Sequence, residues 1–479
     1  MADGNASGTG LVLVLVAALE RLPLAEAALS VWQFVFDSPR LQSIWDQHRG
    51  RCYEKIITFA TMIELVWDAL VVHQGSGRRS FEKNIEAGQL NASVQAAFKK
   101  LGRLPISVSQ ALLEEGVRAL RELIPSATVQ RLPDSLQEFN VLVLDGKTIK
   151  NVAKRLKPLR RSAGGLLGGK ALVMQEWKTG LVVSLQADPD GDASEKPLVG
   201  VLTPRTRQNT EGPRLFVADR FFGDLVQAAH LTAQPGDHFL LRAHSGAVFQ
   251  ADPSRPEQSG TDADGRRYVE AWGWFGSVYN KRRRYVRRIH LERPEEKDDL
   301  VLVTDLVDER RYLVADLLWL YRQRWGIERM FQQVTEVFRL ERLIGGTPQA
   351  CIFQFAFCLL LYNLMQVVRA LIAEAKPCAV EEISTEKLFD DVARHLTAWT
   401  VLFTPQQTVA CFSDAPTSAR LSQQLQRLLS GVWSETWWKS PKQNRRAPTR
   451  RLRQRTHDSV HRLLQKERAK HTNKHKPDS

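Results

Sequence analysis

A mixed α/β fold, preceded by a helical region and followed by a basic tail, is what the sequence predicts. Three observations carry this. Up to about residue 136, apolar residues recur at three- and four-residue spacing. At Glu138 the texture changes to strand-like runs, two of which close on aspartates. Beyond them strands and helices alternate without the regular βαβ repeat of a parallel sheet, and from 245 to 305 the signals are β and turn.

Taken in order, RCYEKIITFATMIELVWDALVVH and VSQALLEEGVRALRELI read as helices. Between them, SFEKNIEAGQLNASVQAAFKKLGRL reads as two short helices around Gly88–Asn91, with Asn91 as an N-cap. Two readings stay open there: a helix-turn-helix turning Lys99, Lys100 and Arg103 toward phosphates, or a plain helical hairpin. FNVLVLDG is a strand ending in Asp145, and GGLLGG (Gly164–Gly169) lacks the GK[ST] ending of a phosphate loop and reads as a flexible connector. ALVMQEWK and LVVSLQAD form a hairpin around Thr179-Gly180. RLFVAD is a strand ending in Asp219, followed by a helical FFGDLVQAAHL with Asp224 inside it and by a strand, HFLLRA. DPSRPEQSGTDADG is a loop, and DDLVLVTDL is a strand returning to the core. LLWLYRQRWGIERMFQQ (Leu317–Gln333) reads as one helix, and CIFQFAFCLLLYNLMQVVRALIAEA as a long helix of buried packing. The expected divisions are a helical N-terminal unit (1–136), a core in two parts (137–244 and 306–400), a β-rich insertion (245–305) and a C-terminal helical region with the tail (401–479).

Composition limits the function classes. Hydrophobic content of 43% and charged content of 25% over 479 residues describe a globular chain of several domains. The apolar run in LVLVLVAALERLP (Leu11–Pro23) is too short to span a bilayer and lacks the basic lead of a signal peptide. Five cysteines without a CxxC pair point to reduced thiols and a cytoplasmic setting. Net charge is +14, and the stretch from Lys439 onward carries +11 of it. Such a tail reads as a polyanion-binding arm, most simply for nucleic acid, or as a solvated solubility tail; no apolar helical face accompanies it to suggest a membrane.

Asp145 and Asp219 both end strands, where ligands of open α/β sheets collect. Glu328 sits on the aromatic and arginine-rich helix, with Tyr321 and Arg324 on the same face at i, i+3 and i+7. Three converging carboxylates repel one another unless cations neutralise them, and hard oxygen donors suit Mg²⁺ or Mn²⁺. A pair of such ions activates the attacking hydroxyl and stabilises the leaving oxygen of a phosphodiester. Arg324 is placed to orient a phosphate or the glutamate, and Tyr321 and Trp325 offer stacking. DGKTIKNVAKRLKPLRR brings seven Lys/Arg, Lys147 and Lys150 among them, just after Asp145. Each aspartate alone is equally at home as a turn former or cap, and the charged helix as a surface helix laced by ion pairs. Eleven histidines show no HExxH or paired Cys/His spacing, which argues against zinc.

VLDGKTIK, VADRFFGD and YRQRWGIERMF together resemble the DDE transposases of bacterial insertion sequences, in particular the insertion-sequence-four-like group with its Y-x2-R-x3-E-x6-K helix. The resemblance runs from about residue 80 to 370. It implies an RNase H-like core interrupted by the β-rich insertion, with Asp145, Asp219 and Glu328 as catalytic metal ligands for Mg²⁺ (Mn²⁺ substituting). It implies cut-and-paste transposition on double-stranded DNA, the inverted-repeat ends and a target, by a homodimer that is nucleoid-associated when bound. Tyr321, Arg322, Arg324, Trp325, Lys147 and Lys150 are the expected DNA contacts, and Trp325 with Trp272 or Trp274 the candidates for holding a flipped base. The signature lysine falls on Thr335, and Gln332 and Arg339 are expected on the same face as substitutes. A transposase-derived protein that only binds DNA and a metal-dependent nuclease of similar core are the alternatives.

Overall fold

The computed structural model describes residues 21–244, 246–296, 298–404, 407–408, 412, 416–439 and 457–473. Residues 11–20 of the apolar N-terminal run, Cys411 and residues 440–456 of the tail lie outside them.

Among the described residues six helices come first: α1 (Pro23–Val35), α2 (Ser38–His48), α3 (Phe59–Val71), α4 (Gly77–Glu86), α5 (Val94–Leu101) and α6 (Ile106–Arg121). Side-chain caps start several of them, as expected from their unpaired N–H groups: Asp37 for α2, Thr58 for α3, Ser76 for α4 and Ser93 for α5. Ser93, not Asn91, is thus the cap of the second short helix.

The sheet strands follow: β1 (Asn140–Lys150), β2 (Gly165–Glu176), β3 (Val182–Asp188), then α7 (Lys196–Gln208), β4 (Arg214–Ala218), α8 (Leu225–Leu231) and β5 (Asp237–Arg242). Gly164–Gly169 is no loose connector, since all but its first residue belongs to β2. β1, β4 and β5 run parallel, and β2 and β3 add an antiparallel hairpin at β1. Sequence reading missed α7, because turn residues crowd the segment before it and Pro204 interrupts its period. Asp224, expected inside a helix, is the cap of α8, where it accepts from the N–H groups of Val226 and Gln227.

Strands β6 (Phe249–Ala251), β7 (Gln258–Thr261), β8 (Arg267–Phe275), β9 (Arg284–Leu291) and β10 (Leu300–Thr304) extend the same sheet, with β10 pairing β5. Next come α9 (Val314–Gln323), α10 (Trp325–Glu336), α11 (Pro348–Ala375), α12 (Thr385–Leu402) and α13 (Ser418–Leu429).

α11 is the packing axis. It is long and apolar enough to cross a membrane, yet its apolar window is buried entirely inside the protein, as a core helix is. One hydrophobic cluster joins it to the N-terminal helices and to one face of the sheet. Each large side chain buried there contributes about 1.5–3 kcal/mol. Asn363, buried mid-helix, fixes the register of α11 on β3 by exchanging two hydrogen bonds with the Val182 backbone (2.8 and 2.9 Å). Residues 457–473 of the tail are also docked: β11 (His457–Ser459) pairs in parallel with β2, and α14 (Val460–Asn473) follows. Arg462 there binds Asp190 at 2.8 Å. The described part of the tail is therefore neither a free arm nor a loose solubility segment.

Candidate active site

Strand register brings the two aspartates together. Leu144 of β1 pairs with Ala218, the last residue of β4, so Asp145 in β1 and Asp219 just past the end of β4 are the next residues along two adjacent parallel strands. Such strands lie about 4.8 Å apart. Asp219 caps the short turn after β4 by accepting from the Phe221 N–H (2.9 Å), and Asp145 accepts from the Gly146 N–H (2.8 Å).

Glu328 reaches them through an arginine. The expected single helix over Leu317–Gln333 is two, parted at Arg324, where an i→i−3 bond from the Arg324 N–H to Tyr321 tightens the chain. Arg324 is buried, and its guanidinium lies between the acids, 2.9 Å from Glu328 and 3.7 Å from Asp145. Its Nε has no acceptor. Tyr321 is buried beside Arg324; burial pushes its phenol up, the guanidiniums of Arg324 and Arg242 oppose that, and Asp219 adds to it. Burial also pushes the Asp145 carboxyl up to about 7, with Asp219 and Glu328 adding to the rise and Arg324 resisting it.

The donor chemistry, carboxylate oxygens without histidine or thiolate, fits a hard divalent cation. The placement is open rather than closed: among the described residues no three Asp, Glu, His or Cys side chains surround one point. A cationic guanidinium already bridges two of the three.

The remaining predicted residues divide. Trp325 is exposed (57%) on the first turn of α10, with Arg324 over its ring. Lys147 lies over the Phe331 ring, its ammonium pulled down by burial and by Lys150. No hydrogen bond or ion pair of the Lys150 side chain is found among the described residues. Arg322 is held by Asp262 (2.7 Å) and Asp264 (3.2 Å) of the loop after β7, so it ties the insertion to the core. Gln332 bonds Glu336, and Thr335 turns its hydroxyl back to the Phe331 carbonyl (2.7 Å). Arg339 is not on that face: α10 ends at Glu336, and Arg339 has a left-handed backbone (φ 63°) against Gly75. Trp272 is fully buried, donating to the Val307 carbonyl, whereas Trp274 is 39% exposed with Arg283 over it.

Two neighbours of the site escaped sequence reading. Glu195, just before α7, packs on the Gly146 Cα so closely that a Cβ there would lie 2.2 Å from its carboxyl. It pairs with Lys170 at 3.4 Å, and burial pushes its pKa up, with Asp219 adding to the rise. The acid-rich QADPDGDASEK was its signal, lost because no element was assigned there. Phe221, two residues past Asp219, is 45% exposed under Lys196.

Away from the acids, Arg51, Lys55, Lys99, Lys100 and Arg103 line a cleft between the α2–α3 connection and α5. Lys100 is committed to the Tyr53 carbonyl and the Trp45 ring. Arg51, Lys99 and Arg103 have no side-chain partner among the described residues. The basic segment after β1 abuts this region through Arg155, which lies over the Phe98 ring of α5.

No curated protein matches the chain. Among solved structures it is similar to a piggyBac transposase in a cryo-EM synaptic complex with hairpin DNA, at 13% identity over 86% of this chain and 88% of that one, with a TM-score of 0.36. Residues 137–364, which hold both aspartates, Arg324 and Glu328, match the family described as the transposase DDE domain, and it is to that domain that this central part of the chain, just under half of it, is similar.

Proposed function

We propose that the protein is a DNA transposase that cuts and joins phosphodiesters at the ends of a mobile element, using Asp145, Asp219 and Glu328. The observation that carries this is the register that sets Asp145 beside Asp219, which follows β4, with Glu328 joined to Asp145 through Arg324. The match to the transposase DDE domain over the same residues supports it. An RNase H-like core is supported by the β2–β3 hairpin leading into parallel β1, β4 and β5.

The three carboxylates would hold Mg²⁺, which when bound supplies an activated hydroxyl and charge stabilisation at the leaving oxygen. Arg324 is the residue that neutralises the acids, and it turns to a substrate phosphate when another cation takes that role. Exposed Trp325 and Phe221 flank the acids and offer stacking faces for unpaired bases. The cleft of Arg51, Lys99 and Arg103 holds duplex DNA beyond the cut by its phosphates.

A second reading, a protein that binds DNA without cutting it, is favoured by Thr335 in place of the signature lysine and by the open arrangement of the acids. One experiment separates the two. A DNA fragment carrying the gene and its flanks is incubated with the wild type or Glu328→Gln, in Mg²⁺ or in EDTA. The transposase cuts at inverted repeats only in Mg²⁺, and Glu328→Gln loses at least about 10²–10³-fold in rate while binding is retained. Specific binding with no cutting in any lane would leave only the second reading.

A further inference from the structure

The face of α10 turned away from Glu328 borders a separate cavity of about 180 Å³. Gly326, Arg329, Met330 and Gln333 line it from α10, and Tyr362, Gln366 and Arg369 from α11. Lys439 reaches it from a more exposed position, and Lys178 completes a set of four cations facing one acid, Glu381. That acid is engaged, since it accepts from the Gln130 amide.

The donors are unevenly used. Arg369 is buried; Nη1 donates to Gln366 (2.7 Å) and Nη2 to the Val380 carbonyl, but Nε has no acceptor. Gln366, equally buried, has an amide nitrogen with no acceptor. Buried donors of this kind are rare because each is costly to leave without a partner. No ion pair of Arg329 or Lys439 is found among the described residues.

We propose that this cavity binds a phosphate group, with Arg329, Arg369 and Lys439 supplying charge and the free N–H groups of Arg369 and Gln366 directing hydrogen bonds to its oxygens. Clustered arginines with fixed N–H donors match tetrahedral oxyanions of high charge, and three cations around one small space favour a doubly charged anion over a carboxylate. The cations also hold one another in check: partial desolvation of its ammonium, with the charges of Arg369 and Arg329, pulls Lys439 down to about 8, a penalty an anion relieves. Inorganic phosphate and the 5′-phosphate of a DNA strand share this chemistry. The inference stands apart from catalysis, because none of these residues is among the carboxylates or their arginine.

The full chain is titrated calorimetrically with inorganic phosphate at pH 7, against chloride of equal ionic strength. Saturable binding is expected, weakened about tenfold, or about 1.4 kcal/mol, in Lys439→Gln. The melting temperature of that variant in chloride is expected not to fall, which guards against the unfolding that Arg369→Gln risks. Competition by an oligonucleotide bearing a 5′-phosphate, but not by its 5′-hydroxyl twin, would make the strand end the ligand; competition by neither would make it the free anion. No saturable binding, or equal binding by Lys439→Gln and wild type, overturns the proposal.

Discussion

The two faces of α10 pose opposite electrostatic problems within one helix. On one, Glu328 faces Asp145 and Asp219, and a single buried guanidinium is shared among acids that outnumber it. On the other, Arg329 joins Arg369 and Lys439, and a single glutamate is left among the cations. A structural ion pair would have matched the charges across the helix. Charge is held in surplus on each side, with the Asp145 carboxyl pushed up and the Lys439 ammonium pulled down, and shifts of this kind cluster at functional sites.

The acid face offers the sharpest way to break this comparison. The folded pKa of Asp145, about 7, lies above its ordinary 3.8, so the folded state binds that proton more tightly than the unfolded chain. Its contribution to stability is complete below pH 3.8 and is lost as the pH rises toward 7. Asp145→Asn removes the penalty and should stabilise the protein at pH 8 in EDTA by at most about 4 kcal/mol, with no gain at pH 4. Urea unfolding at the two pH values measures this. A gain that does not depend on pH would show that crowding of charge is not what distinguishes this face.

Arg324→Gln tests the same face from the other side. Without the guanidinium, Asp145 and Glu328 are left uncompensated, at a cost toward the lower end of the 3–5 kcal/mol typical for breaking a buried pair, because Glu328 is 39% exposed. The loss should be greater at pH 8 than at pH 5, where Asp145 carries a proton, and Mg²⁺ should recover part of it in unfolding curves. Equal loss at both pH values would make Arg324 a packing residue only.

These sites were unequally legible in the sequence. The aspartates were readable because a strand ending in an acid is a local pattern, and the face shared by Tyr321, Arg324 and Glu328 follows from helical spacing alone. Their convergence needs the β1–β4 register, a pairing across more than seventy residues that no local pattern encodes. The break at Arg324 was hidden because the apolar period runs on through it and its one local mark, Gly326, is also common inside helices; at the break Arg324 contacts two acids, one of them on a distant strand. Glu195 was hidden for a different reason, its place over Gly146 being set by a helix whose period Pro204 obscures. The cationic cavity draws Arg329, Arg369 and Lys439 from three separate segments, so no window of sequence contains it.

Thr335→Lys is the mildest perturbation and asks what the acid face does for DNA. Thr335 lies two helical turns after Glu328 and spends its hydroxyl on the Phe331 carbonyl, a bond that adds little to a helix. Lysine is the better helix former, so stability should move by less than about 0.5 kcal/mol. If this face meets DNA, the new ammonium gains one phosphate, and the slope of log affinity against log salt steepens by about 0.9. A fluorescence anisotropy titration of an end-bearing duplex over a range of salt reads that slope. An unchanged slope, with the fold intact, would place the DNA backbone elsewhere than on the turn after Glu328, and would leave the cleft of Arg51, Lys99 and Arg103 as the principal phosphate contact.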